Sequence, residues 1–309
     1  VTVPVGLGCA QLGNLYRPMT DETAAAIVDA AWDAGIRYYD TAPHYGLGLS
    51  ERRLGSSLRG RPRDEYVLST KVGRLLEVNP AYAGERDTDG FDVPATLVRR
   101  RDYSRDGVLR SLESSMARLG VDRIDIAFVH DAEDHVEEAL AGAIPALIEL
   151  RDQGVLRGVG LGMNFDRVLA EFVRRSDVDT IMVAGRYTLL EQPALDELLP
   201  LCEERGVRVM AAGVFNSGIL ASPTPGTTYN YKEAPAPLVE RARRIADVCA
   251  RYGVELPAAA IAMPARHPAV EAVVLGASSV RQVESNVARA AAEIPPGLWQ
   301  ALTEEGLLR

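Results

Sequence analysis

Short apolar runs and longer amphipathic stretches alternate along most of the chain. Runs rich in β-branched and aromatic residues lie at 5–8, 36–40, 66–71, 124–130, 158–162, 180–183, 207–211 and 270–275. Runs of this length and composition predict buried strands. Between them, apolar positions recur at helical spacing over 20–34, 50–58, 104–119, 134–153, 166–175, 192–205, 237–252 and 280–292, which predicts helices. Thr20 stands where an N-cap belongs, and Gly154, Gly206 and Gly253 stand just past three helix ends, where left-handed backbone is common. Strands alternating with helices predict a parallel sheet. Eight such units at this length predict closure into a (β/α)8 barrel, one domain spanning 1–309.

Two irregular stretches break the rhythm. One is 72–102, with Pro80, Gly84, Gly90 and Pro94; the other is 213–237, with Pro223, Pro225, Asn230 and Pro235. They follow the third and seventh strands, which places both on the C-terminal rim, where barrel active sites sit. Tyr82, Phe91, Tyr103, Phe215, Tyr229 and Tyr231 lie in or beside them and favour binding loops over linkers.

Composition narrows the partners. The 309 residues are 47% hydrophobic and 25% charged, which excludes a disordered or collagen-like chain. With 34 Lys+Arg against 43 Asp+Glu, the net charge of -9 argues against nucleic acid or an anionic membrane as main partner. No apolar run is long enough to predict a membrane span. Cys9, Cys202 and Cys249 are widely spaced and form neither a CxxC pair nor an even disulfide set, so buried thiols and no metal site are expected. The first residues lack a basic segment followed by a long apolar one, and a cytoplasmic location is expected. Oligomeric state is left open.

Polar groups end or follow successive strands: Asp40, then Tyr45 five residues on, then Lys71 and His130. In a barrel these positions converge on one rim, where an ionisable group costs little. A Lys ammonium beside a Tyr favours the phenolate and lowers the phenol pKa. An Asp would hold the ammonium, and a His could donate to a developing oxyanion. Tyr45 would give a proton in a reduction and take one in an oxidation. The hydride must come from a cofactor.

The segment Gly35-Ile36-Arg37-Tyr38-Tyr39-Asp40-Thr41-Ala42-Pro43-His44-Tyr45-Gly46, followed by Ser50-Glu51-Arg52-Arg53-Leu54-Gly55, resembles the signature of the aldo-keto reductase family. Ser69-Thr70-Lys71-Val72-Gly73 resembles its lysine strand, and Arg118 to Asp125 leading to His130 its histidine segment. The resemblance covers nearly the whole chain. It implies a TIM barrel that binds an extended nicotinamide cofactor, with Asp40, Tyr45, Lys71 and His130 as catalytic tetrad. By the same carry-over, Asn164 bonds the nicotinamide carboxamide, and Met163 replaces the usual serine before it. The run Gly213, Val214, Phe215, Asn216, Ser217, Gly218, Ile219, Leu220 is similar to the loop that covers the pyrophosphate. Ala212 stands where relatives often offer a stacking aromatic. The run from Gly276 to Asn286, with Ser278, Ser279 and Gln282, is similar to the adenosine-binding segment. The helix start near Val280 would favour an anion. NADP-binding relatives often carry cations where Ala277 and Ser278 stand, with Arg281 the local cation here, so NAD or dual use is expected over strict NADP use. Only a short segment precedes the first strand, so an N-terminal hairpin common in relatives is shortened or absent.

The loop Phe91-Asp92-Val93-Pro94 and the run from Ala184 to Gln192 resemble the aldose 1-dehydrogenase branch, which also includes a pyridoxal 4-dehydrogenase. This implies oxidation of a sugar hemiacetal to a lactone, or the reverse carbonyl reduction, with His44 and Arg186 as rim candidates for substrate hydroxyls. A pyridoxal dehydrogenase or general aldehyde reductase is the alternative. Three further readings remain open. A dinucleotide-binding doubly wound fold would use Gly6 and Gly8 but has Gln11 at its third glycine. A Schiff-base lyase would use Lys71. A nicotinamide-sensing regulatory subunit would bind cofactor without turnover.

Overall fold

A computed structural model of the chain describes residues 4–224, 226–230 and 232–309. Pro225, Tyr231 and residues 1–3 of the short N-terminal segment lie outside the described residues. Eight parallel strands close into a barrel: β1 (Val5–Gly8), β2 (Tyr38–Asp40), β3 (Val67–Val72), β4 (Ile126–His130), β5 (Gly158–Met163), β6 (Thr180–Ala184), β7 (Arg208–Ala212) and β8 (Val270–Gly276). Each strand pairs with its sequence neighbours, and β8 closes on β1. The strands are buried on both faces, as their near-continuous apolar character requires. Phe128, Met182, Met210 and Val274 fill the interior, and a larger apolar layer lies between the sheet and the helices.

Helix ends follow local chemistry. Thr20 caps the helix Asp21–Asp33 by accepting from Thr23 N at 3.2 Å, and Ser104 caps Arg105–Leu119 by accepting from Gly107 N. Gly154, Gly206 and Gly253 all adopt positive φ, the backbone expected just past a helix end.

The structure differs from the periodicity in five places. The predicted helix 134–153 is α-helical over Val136–Glu138 and Ile144–Asp152, with a π-helical turn over Ala139–Ala143 between them. Pro145, which has no N–H to donate, stands just past that turn. The predicted helix 192–205 breaks into a 3₁₀ turn (Pro193–Leu195) and a helix (Leu198–Arg205). Helices Leu256–Ala262 and Pro296–Glu304 were not signalled; in the first, four consecutive residues from Ala258 to Ile261 are buried, so no polar face marks a period. Lastly, the stretch 72–102 is not irregular. It holds an antiparallel hairpin, Arg74–Val78 paired with Leu97–Arg101, whose tip folds Phe91 and Val93 onto Leu47.

Candidate active site

The sheet register brings the strand ends together. Asp40 lies beside Ser69, Lys71 beside Phe128, and His130 beside Gly162. Ser69 and Lys71 are two residues apart on β3, so their side chains share one face, and both reach Asp40. Ser69 Oγ donates to Asp40 Oδ1 at 2.7 Å, and Lys71 Nζ donates to Asp40 Oδ2 at 2.6 Å. Lys71 also donates to Thr41 O at 3.0 Å and to Tyr45 Oη at 3.0 Å. All three ammonium protons therefore have acceptors. The ring of His130 lies 5.9 Å from that of Tyr45. The four residues singled out by sequence form one cluster, in which Asp40, Lys71 and His130 are buried.

Tyr45 hangs on a loop fixed by two glycines. The backbones of Gly13 and Gly46 touch, and a Cβ on Gly13 would stand 2.6 Å from Tyr45 C. Gly46 has φ +62, which a side chain would strain. Below the loop, Thr41 Oγ1 and Ser50 Oγ lie 2.8 Å apart, and Ser50 donates to Cys9 O. Glu51, fully buried, accepts from Thr70 Oγ1 at 2.8 Å and Arg118 Nε at 2.6 Å. The signature segment thus carries its own anchors to β3.

Electrostatics separate the roles. Burial raises the Tyr45 phenol to about 12, although Lys71 pulls the other way. The expected lowering by Lys71 is real, but desolvation outweighs it. Burial alone would lower the Lys71 pKa; the charges of Asp40 and Tyr45 reverse this and leave it raised. Burial, then Arg74 and Lys71, push the His130 pKa well down, so the imidazole is neutral.

The hairpin supplies residues that sequence reasoning missed. Arg74 donates from one terminal nitrogen to His44 Nδ1 at 3.1 Å and from the other to Asp131 Oδ2 at 2.5 Å. Arg99 donates to His44 O at 2.9 Å and pairs with Asp87. Asp131 follows His130 with φ +43. An arginine-rich run in a Gly- and Pro-punctuated stretch gave no signal for these contacts.

The other predicted residues divide. Arg186, expected to meet substrate, donates from Nε to Asn164 O at 2.8 Å, and its terminal nitrogens reach Glu191, Tyr229 and Asn230. In the loop after β7, Gly213, Asn216, Ser217 and Gly218 all have positive φ. Asn216 gives its side-chain amide to Gly185 O and Glu191. Ser217 O accepts from Thr228. Phe215 packs on the core, and the side chain of Leu220 lies within it while its N–H goes to Phe215 O. Leu220 is wholly buried, and its backbone donor is taken. Met163 is buried in the outer core. Gln282 Oε1 accepts from Ser278 N at 2.7 Å, Ser279 caps Val280–Ala290, and Asn286 Nδ2 donates to Gly276 O.

A model of the Aldo/keto reductase family matches residues 4–304. This chain belongs to the aldo-keto reductase family. It is 50% identical over 309 aligned residues to a D-threo-aldose 1-dehydrogenase from Pseudomonas sp, covering 98% of this chain and 94% of the relative. It is 41% identical to a pyridoxal 4-dehydrogenase from Microbacterium luteolum, with 98% and 94% covered. The holo form of an aldo-keto reductase from Bacillus halodurans superimposes with a TM-score of 0.76 at 27% identity, covering 99% of this chain and 92% of that one. As a member of this family the chain is an NAD(P)-dependent oxidoreductase acting on CH–OH and carbonyl groups.

The residues present fit a nicotinamide dinucleotide. The side chain of Asn164 has no hydrogen bond among the described residues. Gln11 Oε1 is buried without a partner beside Gly276, where a Cβ would come within 2.5 Å of it. The helix Val280–Ala290 has no acidic residue in its first turn, so no local carboxylate opposes an anion at its amide end.

Proposed function

We propose that this aldo-keto reductase oxidises the C1 hydroxyl of an aldose in its cyclic hemiacetal form to a lactone, and runs the reverse carbonyl reduction through the same groups. The observation that carries the mechanism is the ammonium of Lys71, bonded at once to Asp40 at 2.6 Å and to Tyr45 Oη at 3.0 Å. Tyr45 takes the hydroxyl proton in the oxidation. Lys71 holds the phenolate that takes that proton, and Asp40 with Ser69 holds Lys71. Neutral His130 donates a hydrogen bond to the reacting oxygen. The nicotinamide dinucleotide, when bound, supplies the hydride acceptor or donor. Asn164, the backbone of Gly213–Gly218 and the segment Gly276, Ser278, Ser279, Gln282 and Asn286 would hold it. Ala277 and Ser278 add no cation, and Arg281 is exposed, so NAD binds at least as well as NADP.

The aldose reading is supported by the relative named D-threo-aldose 1-dehydrogenase. Pyridoxal is the second reading, supported by the relative at 41%; its aldehyde can close on a neighbouring hydroxymethyl group to the same kind of hemiacetal. Residues 1–309 act as one catalytic unit, and its three free buried cysteines suit the reducing cytoplasm. Turnover with L-fucose, D-arabinose, L-galactose and pyridoxal, each with NAD and NADP, tests the reading. Coenzyme reduction by at least one of the aldoses is expected. Tight coenzyme binding with no turnover of any of them would overturn it.

A further inference from the structure

His44 is the one imidazole in the site whose role the tetrad does not fix. Its ring lies 5.5 Å from that of His130 and 6.0 Å from that of Tyr45, while the Tyr45 and His130 rings are 5.9 Å apart. The three rings make a nearly equilateral cup. Phe91 closes the back of His44 edge-on at 5.1 Å, and Arg99 holds its carbonyl.

The hydrogen bond to Arg74 decides the tautomer of His44. A guanidinium N–H can only donate, so Nδ1, at 3.1 Å, must be the acceptor. The ring proton is then on Nε2. Burial, with Arg74 and Arg99, pushes the His44 pKa down to about 2, so the ring stays neutral in this form. Among the described residues, the buried polar atoms without a partner include His130 Nδ1 but neither Nε2. No group among the described residues hydrogen-bonds either Nε2, and the approach of Asp131 Oδ2 to His130 Nε2 is 3.6 Å. Both Nε2 atoms therefore open onto the rim. Two neutral imidazoles and one phenol converge there, one more donor than a single reacting oxygen uses.

We propose that His44 determines specificity by donating its Nε2–H to an oxygen on the carbon next to the reacting carbon, in a tautomer that Arg74 sets. The proposal rests on the aldose reading above and adds the 2-hydroxyl as the feature recognised. Arg74 is a positioning residue, and Asp131 fixes the other end of its guanidinium.

D-arabinose and 2-deoxy-D-ribose, which differ from each other only at C2, make the test pair. The wild type should prefer D-arabinose in kcat/KM by about tenfold or more, the worth of one well-placed hydrogen bond. His44→Phe should lower the ratio by about that factor. Comparing ratios between variants cancels the intrinsic reactivity of the two sugars. Arg74→Met should lose much of the preference, and Arg74→Lys, which also can only donate to Nδ1, should restore it. With ¹⁵N-labelled histidine, NMR of the whole protein should show His44 with a bare Nδ1 and a protonated Nε2 across the near-neutral range. Arg74→Met should show mixed tautomers and a titrating ring, and a bare Nε2 in the wild type would overturn the proposal. An unchanged ratio in His44→Phe would sink the proposal while leaving the reaction standing. Absence of turnover with every aldose would sink the reaction, and the proposal with it.

Discussion

Replacing Lys71 by Met removes an ammonium whose three protons go to Asp40, Thr41 O and Tyr45. At an Nζ–Oη distance of 3.0 Å, a full charge on the phenolate would interact with the ammonium by about 5.5 kcal/mol at an effective dielectric near 20. That corresponds to about 10⁴-fold in rate. The transition state carries only part of the charge, so kcat/KM for oxidation should fall by roughly 10² to 10⁴. The substitution also strands Asp40, which is buried and left with Ser69 as its donor. Breaking a buried pair costs about 3–5 kcal/mol, so thermal unfolding must be measured alongside. Adding Asp40→Asn removes the stranded charge and should recover much of the stability without recovering turnover. The assay is coenzyme reduction at saturating coenzyme, with coenzyme binding followed by fluorescence. A folded Lys71→Met variant within tenfold of wild type, or a double variant that regains turnover, would refute the reasoning.

Other outcomes follow from the same geometry. With the Tyr45 phenol raised to about 12, oxidation, which needs the phenolate, should climb with pH throughout the alkaline range. Reduction, which uses the phenol, should stay flat there, and an oxidation rate that falls as pH rises from neutrality would contradict the assignment. Gly13→Ala puts a Cβ 2.6 Å from Tyr45 C; the shift should lower the melting temperature and cut kcat by about 100-fold, and wild-type kcat would show that Tyr45 is not held there. Arg186→Met removes the hydrogen bond to Asn164 O and should weaken coenzyme binding about tenfold. A rise in sugar KM alone would return Arg186 to the substrate.

Most of the barrel was legible because its strands are short, apolar and separated by capped helices. Strand β1 and the helix Asp166–Arg175 have the predicted limits, and the polar residues at or next to the ends of β2, β3 and β4 converge as a closed barrel requires. The hairpin after β3 was not legible. Its arginines answer to Asp87, Asp131 and His44 across the rim, contacts that leave no period in the chain. The contacts of Arg186 were not legible for a related reason: a lone arginine in a rim loop looks the same in sequence whether or not it also meets Glu191, Tyr229 and Asn164. The pull of Lys71 on Tyr45 was predicted with the right sign. Burial outweighs it, and the depth of burial depends on neighbours that strand periodicity does not locate.

The most direct measurement is the oxidation rate of Tyr45→Phe under saturating coenzyme, taken together with its coenzyme affinity. The phenyl ring keeps the shape of the site and loses only the hydroxyl that Lys71 touches. Coenzyme affinity should stay near wild type while turnover drops by at least about 10². Wild-type turnover in this variant would contradict Tyr45 as the group that moves the proton.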